Sequence, residues 1–240
     1  ARAFVGINGA ACAYPTIVSA IAAAAAGATI YIGPGTYPEQ LGLIDKNLAL
    51  TAATADCGAD ASGGVTIDAN DAAATYGGVA EIGGTRTVTF TNLTLTDGSA
   101  TLGGILYVGA NGRLGLDNTD ISYGSSPSLG GGIRLYQGST ATLINASRVF
   151  ANITTSGGDG GGVAIYQGTL TLRDDSRVGD FNLANTSADL AGGVLLEGGL
   201  LQMADTSRIR SNTAAANGGG VYALSGGDIV MSNSANIGWT

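Results

Sequence analysis

Gly161-Gly-Val-Ala-Ile-Tyr-Gln-Gly-Thr-Leu-Thr-Leu-Arg-Asp-Asp-Ser-Arg-Val178 carries the pattern that decides the fold. A glycine pair leads into a β-branched residue. A short alternating run, Leu170-Thr-Leu172, then closes on Asp174, and one more apolar position follows at Val178. The same phrase recurs on both sides. Glycine pairs precede Val79, Ile105, Ile133, Val163, Val194 and Val221. Their second members stand at 78, 104, 132, 162, 193 and 220, in steps of 26, 28, 30, 31 and 27. Alternating runs end at Asn92, Asn118, Asn145, Asp174, Asp205 and Asn233, and the later apolar positions are Leu95, Ile121, Val149, Val178, Ile209 and Ile237. Periods of this length mark a solenoid, and alternation with period two marks strands with one buried face.

Three short strand signals per unit, with no helical period between them, predict an all-β chain: a single-stranded right-handed parallel β-helix. Its coils stack at the strand spacing of about 4.8 Å. A leucine-rich repeat would need its leucine consensus, and a propeller blade four antiparallel strands; neither pattern is present. Glycine permits positive φ and removes bulk where the chain turns and neighbouring coils approach. The residues that end each run, Asn92 through Asn233, are expected either to form a ladder of side-chain hydrogen bonds along the axis or simply to tolerate the turn conformation.

Composition narrows the function. Glycine makes up 41 of 240 residues, charged residues 12% and apolar residues 45%. Glycine has no three-residue period and proline is scarce, which excludes collagen, and the apolar fraction excludes a disordered chain. The net charge is -8, and Lys46 is the only lysine. Nucleic acid and anionic lipid are therefore poor partners, since both are recognised by clustered basic residues. No apolar run approaches the ~20 residues of a membrane-spanning helix. Histidine is absent, which removes the commonest general base and every Ser-His or Cys-His nucleophile pair.

The first 75 residues read differently. Thr16, Ile17, Ile21 and an alanine run ending at Gly27 predict a short helix with a glycine C-cap, covering the open end of the solenoid. Residues 1–75 are thus expected to form a cap with the first irregular coils, and 76–240 the regular coils, in one continuous domain. Cys12 and Cys57 are expected to pair in an extracellular setting, closing a loop of about 46 residues worth ~4 kcal/mol. No signal-type segment opens the chain, so it reads as a mature protein or an excised fragment. At the other end Gly238-Trp239-Thr240 follows the last strand signal with no cap. The expectation is that further coils follow or that a partner subunit covers this end, as in end-to-end stacking.

Thr16, Ala20-Ile21, Ala28-Thr-Ile-Tyr-Ile-Gly-Pro-Gly-Thr-Tyr37, Glu39 and Lys46-Asn47-Leu48 resemble the opening segment of pectin-lyase-like right-handed β-helix proteins. Phe150-Ala-Asn152 before Gly160-Gly161-Gly162-Val163 resembles the paired short motifs of polymorphic outer membrane proteins. Ile209-Arg-Ser-Asn212 before Gly218-Gly219-Gly220-Val221 resembles them too. Those are autotransporter-type bacterial surface passengers, commonly adhesins. The resemblance implies a secreted or cell-surface protein, and the chain departs from that family in lacking a C-terminal β-barrel translocator.

Two columns carry chemical character. Arg148, Arg177 and Arg208 recur at one coil position, with Asp174, Asp175 and Asp205 as candidate counter-charges. They read as a strip of surface ion pairs or as a stripe for anions or uronates. Tyr136-Gln137-Gly138 and Tyr166-Gln167-Gly168 read as a packing ladder or as a surface for a sugar face. Catalysis on acidic polysaccharide would need paired carboxylates or a calcium cluster. Asp159, Asp180 and Asp189 are scattered singly, Asp174-Asp175 is the one adjacent pair in the coils, and Asp68 with Asp71 lies near the cap. Thr89, Thr142 and Thr171 align, but Gly115, Gln202 and Val230 break the flat threonine column that ice binding requires. Sequons stand at Asn92, Asn145, Asn152 and Asn185.

The reading is a non-catalytic secreted or cell-surface β-helix with an adhesive or scaffold role, part of a longer passenger or of a stacked extracellular filament. No catalytic residue, cofactor or metal is assigned. Its expected partners are other protein subunits or cell-surface glycans. The alternative is a carbohydrate-active lyase or hydrolase acting on acidic polysaccharide.

Overall fold

The computed structural model describes residues 5–7, 10–53 and 64–238. Its regular structure is nearly all β, winding through about seven turns of a parallel β-solenoid, with one helix among the described residues, α1 (Ile17–Ala23). The expected Cys12–Cys57 disulfide lies outside the described residues, because residues 54–63 do.

Four ladders of parallel strands run along the axis. The first takes Ala28–Ile32, Leu48–Ala52, Thr87–Thr91, Arg113–Asp117 and Thr140–Ile144. The second runs from Gly35–Pro38 through Val65–Asp68, Leu93–Thr96, Asp120–Ser122, Arg148–Phe150, Arg177–Val178 and Arg208–Ile209 to Asn236–Ile237. The third is shorter: Ala73–Tyr76, Ser99–Leu102, Ser125–Ser126, Ile153–Thr154, Thr186–Ser187 and Thr213–Ala214. The fourth begins with Gly42–Ile44, Ala80–Ile82, Leu106–Val108 and Ile133–Leu135. Beyond these, Val163–Leu172, Val194–Met203 and Val221–Met231 each run unbroken through the corner, fusing the fourth ladder to the first in one 14-stranded sheet.

Register turns alternation into core. In the first ladder Leu50, Phe90, Leu116, Leu143, Leu172, Met203 and Met231 stand one above another. The second ladder aligns Ile67, Leu95, Ile121, Val149, Val178, Ile209 and Ile237. One buried cluster extends from Ile17 to Ile209, so the opening segment and the coils share a core.

Three details correct the sequence reading. The coils carry four strand segments until the fourth ladder fuses to the first at Val163–Leu172, and the third ladder is the one the sequence did not announce. The third ladder escaped because its residues are mostly Ser, Thr and Ala, with no apolar alternation to mark it. The glycine register is also shifted. Pairing sets Ala80, Leu106, Ile133, Val163, Val194 and Val221 in one column. Hence Val79 and Ile105 align with Gly132, not with Ile133. The left-handed position of the turn falls on Gly77, Gly103, Gly130, Gly160, Ala191 and Gly218. Finally, α1 stops before Gly27, with Ala24 as an extended C-cap.

That helix is held at both ends by the first coil. Thr16 Oγ1 accepts from Ser19 N–H at 3.1 Å, and the Glu39 carboxylate accepts from Ile17 and Val18 N–H at 3.1 and 3.0 Å. At the other end Lys46 Nζ donates to the carbonyls of Ile21, Ala22 and Ala24 at 3.1, 3.4 and 3.1 Å. A cation on the last-turn carbonyls replaces the glycine cap. The strand Val5–Ile7 pairs antiparallel with Ala28–Ile32, closing that edge of the first coil.

Two polar ladders follow the axis. Asn92, Asn118, Asn145, Asp174, Asp205 and Asn233 all have φ between 46 and 59°. Their side chains also link coils: Asn118 Nδ2 donates to Asn92 Oδ1 at 2.9 Å and Asn233 Nδ2 to Asp205 Oδ1 at 3.0 Å. The turn preference and the ladder therefore coexist. A second, inner ladder joins Asn152, Asn185 and Asn212: Asn152 Nδ2 donates to Asn185 Oδ1 and Asn185 Nδ2 to Asn212 Oδ1, both at 2.9 Å. Asn152 and Asn185 are 1% and 0% exposed, so these two sequons are sealed in the fold.

Candidate functional site

The arginine stripe lies on the outer face of the second ladder, where Asp120, Arg148, Arg177, Arg208 and Asn236 share one column. Stacked guanidinium groups repel unless carboxylates interleave, and they do. Arg148 Nε donates to Asp120 Oδ1 at 2.7 Å, with a second contact from Nη2 to Oδ2, and its Nη1 donates to Asp180 Oδ2 at 3.1 Å. Arg177 lies 3.7 Å from Asp180 and 3.8 Å from Asp175, which also stands 3.7 Å from Arg208. Arg210 joins from a neighbouring turn, its Nη2 donating to Asp180 Oδ1 at 3.2 Å.

Asp180 is the hub. Burial alone would push its carboxyl up, but the Phe181 N–H and the Arg177 and Arg148 guanidinium groups hold it below the ordinary carboxylate range. The hydrogen bond to Asp120 raises the Arg148 pKa, against desolvation. The sequence suggested Asp174 and Asp205 as partners, yet both belong to the Asn/Asp turn ladder, with only Arg173 near Asp205 at 4.0 Å. Asp120 and Asp180 take their place. Asp120 was legible as the residue one period before Arg148, whereas Asp180 sits in a loop that no repeat announces.

Arg148, Arg177 and Asp120 border a groove of about 290 Å³ with Asn92, Asn118 and Thr94. An incoming oxyanion would have to compete there with aspartates already on the arginines. Two of the scattered aspartates are engaged locally: Asp159 accepts from Leu190 N–H at 2.7 Å and Asp68 from Asn70 N–H at 2.7 Å. Among the described residues no three acidic side chains converge as a cation site.

The tyrosine column is longer than its sequence signal. Tyr136 and Tyr166 stack with centroids 5.5 Å apart at 18°, Tyr107 stacks on Tyr136 at 6.5 Å, and Tyr76 lies 4.7 Å from Tyr107. Rings stacked along the axis turn faces on one another, so the faces between Tyr107, Tyr136 and Tyr166 are unavailable to a sugar. Tyr107 shares its register with Arg134, not with Tyr136; no repeat spacing could have joined it to the stack. Arg134 is the other residue missed, its guanidinium 5.7 Å from the Tyr166 ring centroid. No protein-family model, curated protein or solved structure matches this chain.

Proposed function

We propose that this chain is a non-catalytic scaffold or adhesive module of a secreted or bacterial cell-surface protein. The observation that supports this most is how polar groups are used. Arginines, aspartates and asparagines pair from coil to coil, which stiffens a rod and leaves few groups free to act on a substrate. The likeness of Phe150-Ala-Asn152 and Ile209-Arg-Ser-Asn212 to outer membrane passenger motifs supports the location. The strand Val221–Met231 pairs on one side with Val194–Met203, and Ile229, Val230 and Met231 are 41, 53 and 42% exposed. Strand edges recruit further strands, so the other side of Val221–Met231 is where a further coil or another chain would pair.

Sedimentation velocity over a wide concentration range tests the reading. Self-association is expected, and Met231→Pro abolishes it by removing an N–H that faces the open side of the strand, since the next N–H, that of Ser232, is the one bonded back to Met203. A chain that stays monomeric at every concentration overturns the stacking role. Incubation with polygalacturonate, with and without calcium, tests the lyase or hydrolase alternative. New reducing ends or unsaturated products would overturn the non-catalytic reading.

A further inference from the structure

Outward from the fourth ladder, Tyr107, Arg134, Ala164, Leu195 and Tyr222 form one column. On most of its length this column is covered: Ala164, Ala191 and Leu195 make a small second core, with Leu129 and Tyr222 against it. Arg134 stands in this apolar strip, 5% exposed. Its Nε and Nη1 are sealed from solvent with no hydrogen-bond partner, and Nη2 has no partner among the described residues either. No carboxylate of the described residues lies within ion-pair distance; Glu197 is the leading acidic influence, and burial pushes the guanidinium pKa down. The face of Tyr166 lies against the charge, with the guanidinium 5.7 Å from the ring centroid.

A buried arginine without an acceptor is costly, because desolvation is uncompensated. Arg148, Arg177, Arg208 and Arg210 all have aspartates at hand, so Arg134 is an exception within its own fold. Nη2 is not among its sealed nitrogens, and a guanidinium with a free N–H is an oxyanion donor. Tyr166 also forms a wall of a groove of about 390 Å³ with Gln167, Glu197, Gly198 and Leu224. None of the hydroxyls of Tyr76, Tyr107, Tyr136 and Tyr166 is hydrogen-bonded among the described residues.

We propose that Arg134, with the hydroxyls of Tyr136 and Tyr166, forms a site for a single oxyanion of the carboxylate or sulfate class. Nη2 donates to one oxyanion oxygen and the tyrosine hydroxyls donate to the others, which supplies the acceptors that the fold withholds. Glu197, on the wall of the same groove, repels the ligand and sets the affinity. The site holds whether or not the chain self-associates.

The test is titration of the full chain with sodium sulfate, sodium acetate and sodium glucuronate at constant ionic strength, with glucose as the neutral control. The readouts are the ¹⁵N–¹H signals of the arginine side chains and the thermal midpoint. One signal set, assigned by its loss in Arg134→Met, is expected to shift with a saturable 1:1 isotherm. At ten times Kd the folded state of the wild type gains about elevenfold in population, and Arg134→Met gains nothing. Glu197→Gln is expected to tighten binding several-fold, and Tyr166→Phe, which keeps the ring, to weaken it. Sulfate and acetate binding as well as glucuronate identifies a free-anion site, whereas preference for glucuronate identifies a sugar-borne carboxylate. Unshifted Arg134 signals with every anion overturn the proposal. So does a Glu197→Gln variant that loses stability and binds no anion, since Glu197 would then be the missing partner.

Discussion

A methyl group added to Gly131 would sit 2.3 Å from the Gly161 carbonyl oxygen and 2.6 Å from that of Ile153. Gly104 is as tight, 2.0 Å from Gly131 O. The glycines therefore hold successive backbones in contact, and turn freedom is the lesser part of their role. Gly131→Ala is expected to cost about 1–3 kcal/mol by overpacking, while Gly64→Ala, with nothing within 4 Å, stays within about 0.5 kcal/mol; chemical denaturation of both variants decides. Asp180 gives a pH signature. Its folded pKa is depressed, so the stability it adds is present above the unfolded carboxylate value of about 3.9 and is lost as pH falls through the folded value. Asp180→Asn is expected to cost about 1–3 kcal/mol at pH 7, because it removes the negative charge that three arginines share and turns one of its two acceptor oxygens into a donor. It should also flatten the fall in thermal midpoint between about pH 5 and pH 2. An equal acid slope in both proteins would remove Asp180 as the hub. The glycine column was legible as a column because steric need repeats with the coil. Its exact register was not, since Gly-Gly-Val and Gly-Gly-Gly-Val read alike until strands pair.

At the scale of elements, α1 is too short to persist alone, and only Ile17, Ala20 and Ile21 anchor it in the core. Its ends are satisfied by Glu39 and Lys46, residues 16 and more positions away in sequence from the helix. Lys46→Met keeps the aliphatic stem and removes the cation from three carbonyls. A loss of about 1–2 kcal/mol is expected, with faster amide exchange in Ile17–Ala23 and unchanged protection in Arg113–Asp117. Uniform loss across both segments would mean that Lys46 supports the whole coil stack. The helix itself was legible from its apolar spacing. Its C-terminus was not, because a lysine capping from another strand leaves no local mark and Gly27 offered a plausible stop. The third ladder was illegible for a related reason. Ser126, Thr154 and Ser187 are buried, but they bond to nearby carbonyls at 2.7–2.9 Å, so the sequence shows polar residues where the fold has interior.

For the molecule as a whole, the parallel solenoid was readable because every coil repeats the same solution, and a motif repeated down the chain survives errors at single positions. The chemistry was less readable, since ion pairing and ring stacking join residues of different coils at unequal spacings, as Arg148 with Asp180 and Tyr107 with Tyr136. Stability in such a stack is a sum of nearest-neighbour terms, so the cost of one truncation depends on how many coils flank it. Phe90 is fully buried with Leu50 below and Leu116 above, whereas Met231 has only Met203 on one side and is 42% exposed. Phe90→Ala is expected to cost about 3–5 kcal/mol and Met231→Ala about 1 kcal/mol or less. Hydrogen exchange should then grade along the axis, slowest in Arg113–Asp117 and fastest in Val221–Met231, the order that local opening from an open edge requires. If all ladders exchange at one rate, the coils unfold as a single unit, and the nearest-neighbour account is wrong for this chain. If Val221–Met231 becomes protected as protein concentration rises, the same experiment shows that this edge is where the rod takes on a partner.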